Sequence, residues 1–141
     1  MLVMPITIVL SLLGWQQKTP FGKLNNALSG STMGLLHLQL LIGAILLYIW
    51  LNAVLASGLT FGEIMKIGAL RFFAVEHNVM MIIAIIIAQI GRTKSKRKSD
   101  DNEKHKTIFI WFGIAFLIIL FMIPFALFHA EAAVNRPLFR F

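Results

Sequence analysis

The chain contains no cysteine in its 141 residues. Disulfides, thiolate nucleophiles, c-type haem attachment and cysteine-held iron–sulfur clusters are therefore all excluded. Charge is also scarce, at 13% of residues, about half of the roughly 25% usual in soluble domains. Acidic groups are the rarest of the charged set, six against thirteen basic, which leaves a net charge of +7. No metal-ligand spacing, nucleophile constellation or glycine-rich phosphate loop is present, and no internal repeat. These gaps remove the common routes to a self-standing enzyme, so catalytic residues are not expected.

What the chain has in excess is apolar sequence, 58% of residues, against about 45–50% in soluble proteins. It comes in four segments, 1–15, 33–57, 72–91 and 107–128. The last three have about the 20 residues that a helix needs to cross a bilayer. The first would reach only about 22 Å as a helix, short of the roughly 30 Å hydrocarbon core. It lacks the basic flank of a signal peptide, so it is expected as a partial helix wedged against the others or as the end of a longer one. The fold class expected is all-α, an integral membrane antiparallel four-helix bundle with a short or truncated first helix, in one transmembrane domain over 1–141.

Seven of the thirteen basic residues fall between Arg92 and Lys106. A surplus of Lys and Arg marks cytoplasmic loops, and the bilayer explains this cluster better than nucleic acid does. The loops 16–32 and 92–106 together hold nine basic residues, and the opposite side holds four, Lys66, Arg71, Arg136 and Arg140. That places both loops in the cytoplasm and both termini in the periplasm of a bacterial inner membrane. The 16–32 stretch, rich in Gly, Asn and Ser with Pro20 and Gly22, reads as a loop. The 92–106 stretch reads as a solvated, flexible connector. Trp15, Tyr48, Trp50 and Trp111 lie near run ends, where interfacial aromatics belong.

Counting depth from the ends of antiparallel helices pairs Gln39 with Gln89 and Asn52 with Asn78, two amide contacts that would tie the second and third segments together. Gly34, Gly43 and Ala44 on one side, with Ala84 and Ala88 on the other, would allow close approach. Four histidines are present, His37, His77, His105 and His129. His105 is expected as a solvated loop residue. His37 and His77 sit at opposite ends of the membrane and cannot share one cofactor. His77 and His129 end up on the same, outer side, where two neutral imidazoles from different helices can hold haem b in an apolar cleft. Phe72, Phe73, Met80, Met81, Phe125 and Phe128 would line it.

Glu76 precedes His77, and Arg71 is its nearest partner, with Lys66 and Arg136 as alternatives. The carboxylate either fixes the outer end of the bundle as an ion pair or serves as a proton acceptor beside a cofactor or quinone. Pro124 should bend the last helix one turn from its end. The tail then lays Arg136 and Arg140 along the outer surface.

The strings "HLQLLIG" (37–43), "RFFAVEH" (71–77), "IGR" (90–92) and "RPLFRF" (136–141) resemble a family of small four-helix bacterial membrane proteins often labelled cytochrome b-like. The resemblance covers about residues 33–141, and its most specific piece is Arg-Phe-x-Ala-Val-Glu-His. It implies haem binding or electron transfer. Similar proteins carry a histidine near the outer end of a longer first helix, whereas this sequence has none before His37. The resulting expectation is a haem b or quinone-linked electron-transfer module, with His77 and His129 as iron ligands and Glu76 and Arg71 orienting the histidine or a propionate. The rival is a cofactor-free accessory subunit of a larger membrane complex. Expected partners are the lipid bilayer and other membrane subunits or further copies of the chain. A small transporter is disfavoured, because no charge sits near the bilayer midplane.

Overall fold

The structure, a computed structural model, describes residues 2–123. It is helical, with no strand among the described residues. The elements are α1 (Val3–Gln17), α2 (Lys23–Ala56), α3 (Phe61–Lys66), α4 (Gly68–Arg71), a π-helical turn (Phe72–Glu76), α5 (His77–Arg97) and α6 (Asp101–Met122). Helix α4, the π turn and α5 run on as one unit from Gly68 to Arg97, and this unit, α2 and α6 are each long and apolar enough to cross a membrane.

Local chemistry explains where these helices start and stop. Pro5 stands in the first turn of α1, where its missing N–H has no intrahelical acceptor to lose. The helix ends as Lys18 turns left-handed at φ 52°, with the N–H groups of Lys18 and Thr19 both on the Gly14 carbonyl and Pro20 following. Helix α3 opens with a reciprocal cap between Thr60 and Glu63. The Thr60 N–H, and then its hydroxyl, donate to the Glu63 carboxylate and hold it below its usual range. Asp100 caps α6 by accepting from the Glu103 N–H at 3.2 Å.

The core is a seam between α5 and α6. Met81, Ala84, Ile85 and Ala88 face Ile108, Phe112, Ala115 and Ile119, all buried, at the three-and-four spacing that lets antiparallel helices interlock. Ala84 and Ala88 do permit a close approach, but to α6 rather than to α2 as expected. Helix α1 packs on α6 and on α2, which also touches α5, so each of these four helices meets two others. The Thr7 and Thr32 hydroxyls hydrogen-bond at 2.9 Å between α1 and α2, both buried.

Several expectations fail, each for a physical reason. Residues 23–32 are not loop but the first turns of α2, and only 18–22 connects α1 to it. The Gly, Asn and Ser content there reads as loop composition, yet Ser29 is buried and Gly30 makes room for Arg92; small residues at a helix contact trade propensity for proximity. The 92–106 connector is likewise almost all helix, reduced to residues 98–100. Lys94, Lys96 and Arg97 sit in the last turn of α5, and Asp101 and Glu103 in the first turn of α6, the charge signs that the helix dipole favours. His105 is fully buried rather than solvated. Its ring lies where a Cβ on Gly14 would stand and meets Phe21 edge-on at 4.9 Å.

The amide pairs do not form. Gln39 and Gln89 are both exposed, Asn52 donates to the Tyr48 carbonyl of its own helix, and Asn78 bonds the backbone at Phe73 and Ala74. Gly34 and Gly43 face open space: Gly34 is exposed between the buried Met33 and Leu36, and Gly43 lies beyond the last buried residue of α2. Its buried residues are Ser29, Thr32, Met33 and Leu36, and its most apolar window has none. Helix α6 runs to Met122, with Ile123 extended at φ −72°, ψ 126°, and residues 124–128 of the expected segment lie outside the described residues. A proline at 124 pushes the preceding residue out of the helical region. The bend expected at Pro124, with His129 and Arg136, lies outside the described residues.

Candidate functional site

A cleft of about 550 Å³ opens between the far half of α2 and the start of α5, walled by Leu46, Leu47, Trp50 and Phe73 and edged by His77 and Asn78. The π turn builds its polar edge. Widening one turn shifts the backbone bonding by a residue, and the His77 N–H accordingly reaches the Phe72 carbonyl, five back. The Asn78 amide nitrogen then donates to the Phe73 carbonyl at 2.6 Å and to Ala74 at 3.4 Å. Both amide hydrogens face backbone oxygens, which leaves Oδ1 as the free acceptor of Asn78.

His77 is half-buried, and its Nδ1 lies 3.1 Å from the Met122 carbonyl. A carbonyl only accepts, so Nδ1 is the donor of this bond. Met122 can accept because α6 ends there, and its carbonyl is one of the four left without an intrahelical donor. The Phe72 ring adds a tilted contact at 5.9 Å. The cleft edge thus carries two polar side chains, His77 and Asn78, against aromatic and aliphatic walls. Such an edge suits a Lewis-acidic metal centre or a hydroxyl donor.

Arg71 and Glu76 do pair, Nε to Oε1 at 2.7 Å. A five-residue spacing puts side chains about 140° apart on an α-helix, and the π turn brings them to one face. Both side chains are nearly half exposed, 46% and 45%, so the pair contributes at most about 1 kcal/mol. Neither residue lines the cleft, and His77 is oriented by Met122 instead. Sequence reasoning missed that role, although Pro124 was the signal that α6 would end and free a carbonyl beside the start of α5.

The other described histidines are remote. His37 is exposed and bonds the Met33 carbonyl at 2.7 Å on its own helix, roughly 20 Å along α2 from Trp50 at 1.5 Å per residue. His105 stands about 26 Å along α6 from Met122 by the same rise. Neither shares the level of His77, as expected for His37. His129 lies outside the described residues. No group of three or more His, Cys, Asp or Glu able to hold a metal ion occurs among the described residues. Comparison with protein-family models, curated proteins and solved structures found no match.

Proposed function

We propose that the chain is an integral protein of a bacterial inner membrane, an antiparallel four-helix bundle of α1, α2, α5 and α6, whose outer cleft takes haem b for electron transfer. The observation that carries this reading is the pinned ring of His77. Its Nδ1–H bond to Met122 fixes the tautomer that ligating histidines use and raises the basicity of Nε2. Among the described residues His77 is the side chain at the cleft that would hold the iron. A six-coordinate site needs a second from the stretch that contains His129, or from another chain. When bound, haem b supplies a one-electron couple. The apolar walls formed by Leu46, Trp50 and Phe73 would exclude water and lower the local dielectric, two of the levers on its potential. With quinol in the same cleft, its hydroxyls would donate to His77 Nε2 and Asn78 Oδ1.

Exposed apolar surface supports the membrane setting. Leu41, Ile45, Leu46, Tyr48 and Ile49 on α2 are each at least half exposed, a density of grease that soluble monomers do not present to water. The basic connectors meet at one end of the bundle, where Trp15 and Trp111 lie beneath Lys106 and Lys94 at 5.9 and 4.4 Å. Positive-inside bias puts that end in the cytoplasm. The chain has no cysteine, so Lys96→Cys is a single-thiol probe. An impermeant maleimide should label it only after the inner membrane is opened, and labelling in intact spheroplasts would reverse the topology.

A visible spectrum tests the cofactor reading. Protein purified in mild detergent after expression with haem supply should show a Soret band and a sharp reduced α band, and colourless protein would overturn the haem assignment. The same apolar surface of α2 favours the second reading, a cofactor-free subunit whose α2 packs on partner helices. Colourless protein that copurifies in fixed ratio with larger membrane subunits would carry that reading.

A further inference from the structure

A second cavity, of about 320 Å³, lies at the opposite, basic end of the bundle, between the start of α2 and the α5–α6 hairpin. The geometry points to a binding site here for a phosphate-bearing anion, held by Arg92, Lys23 and Lys96 against the free N–H groups that open α2. The inference does not depend on the haem reading.

Charge and hydrogen bonding converge on this volume. Lys23, Arg92, Lys96 and Lys104 line it, and no carboxylate does. Lys104 is committed to Asp101, at 2.8 Å. Arg92, Lys23 and Lys96 have no ion pair among the described residues. Arg92 is the decisive group: it lines the cavity, and because its Nε is shut off from solvent without a hydrogen-bond partner, the guanidinium can meet a ligand only through its Nη groups. Its guanidinium is held toward α2 because residue 30 is glycine, where a Cβ would come within 2.9 Å of Nη2.

The start of α2 supplies the second kind of donor. Gly22 is extended and its side-chain-free cap leaves the first-turn N–H groups without a capping oxygen, at the positive end of a 34-residue helix. The hydroxyls of Ser29 and Ser95 donate to the carbonyls of Asn26 and Lys104, so the anion is bound by cations and backbone rather than by hydroxyls. A planar guanidinium, two mobile ammoniums and a helix start match a tetrahedral phosphate better than a single carboxylate. The phosphate can come from an anionic phospholipid headgroup, since basic pockets between helices on the cytoplasmic side select such lipids, or from a soluble phosphate.

Full-length protein distinguishes the two sources. In one arm, native mass spectrometry after reconstitution in phosphatidylglycerol or phosphatidylcholine nanodiscs reads retained lipid. In the other, melting of the detergent-purified protein is followed against inorganic phosphate. Retention of phosphatidylglycerol but not phosphatidylcholine assigns the headgroup, and stabilisation by millimolar phosphate that sulfate-free chloride does not reproduce assigns the soluble anion. Arg92→Gln should weaken whichever is bound by about tenfold or more, as expected for loss of a charge-assisted pair, and Lys66→Gln at the far end should leave it unchanged. The double variant Lys23→Gln/Lys96→Gln alters exposed side chains and gives the same test if Arg92→Gln does not fold. Absence of both retention and stabilisation, or equal binding by the wild type and both cavity variants, overturns the site.

Discussion

Gly91→Ala should destabilise the protein by about 3 kcal/mol, the upper part of the range for overpacking a tight interior. A Cβ at position 91 would overlap Trp111 Cβ and lie 3.6 Å from Trp111 Cα. The obstacle is the root of a side chain on the facing helix, so no rotamer change relieves it, and the α5–α6 hairpin must spread. Spreading loosens the seam at Ala84, Ala88, Phe112 and Ala115, all without exposed surface. Gly113→Ala is the matched comparison. That glycine lies inside α6, but nothing is within 4 Å of its added Cβ, and the substitution should be neutral or stabilise by about 0.5–1 kcal/mol through helix propensity. Thermal or denaturant unfolding in detergent measures both, and equal stability of the two variants would remove the hairpin contact from the account.

The second large effect is spectroscopic. His77→Gly should abolish the haem absorbance of the purified protein, and imidazole added at millimolar concentration should restore it in part by entering the vacated space. The restoration matters because His77 also has a structural duty, the bond that caps α6 at Met122. Loss of that bond alone costs about 1 kcal/mol and lowers the melting temperature without touching a chromophore. His77→Gln separates the two duties: the amide can still donate to Met122, so the fold is retained while the imidazole ligand is gone. Full absorbance in the Gln variant would leave His77 as a helix cap and nothing more.

The two predictions fall on features that differ in how visible they were in the sequence. The centres of the long apolar helices could be read from run length, because apolar residues in unbroken series report their own burial or lipid contact. Their ends could not. At 23–32 and 92–106, Gly, Ser and charged residues carried helix contacts and dipole-compensating charge, yet composition assigned them to loops. His105 was misread for the same reason: its neighbours are Lys104 and Lys106, and only the third dimension shows Gly14 and Phe21 closing over the ring. The matched amides failed because an asparagine in a helix finds a carbonyl four or five residues back sooner than a partner on another helix. His77 was singled out by its position at the start of an apolar run, and the structure places it on the edge of a cleft. What pins it, the free carbonyl of Met122, follows from Pro124 but depends on which helix end lies beside it. The Arg71–Glu76 pair was foreseen as a contact, whereas the π turn that makes it geometrically possible leaves no clear mark in the residues.

Helix α2 has one more consequence. Its last buried residue is Leu36, and residues 33–56 alone measure about 36 Å at 1.5 Å per residue. A bilayer about 30 Å thick accommodates such a rod by leaning it roughly 35° from the normal or by stretching the surrounding lipid. Its far portion, the wall carrying Leu46 and Trp50, has no buried residue and meets the π turn through Trp50 and Phe73. In the membrane setting proposed above, bilayer thickness would bear on the gap between Trp50 and Phe73, whose rings stand 6.4 Å apart, and thin and thick bilayers would set different apertures beside His77.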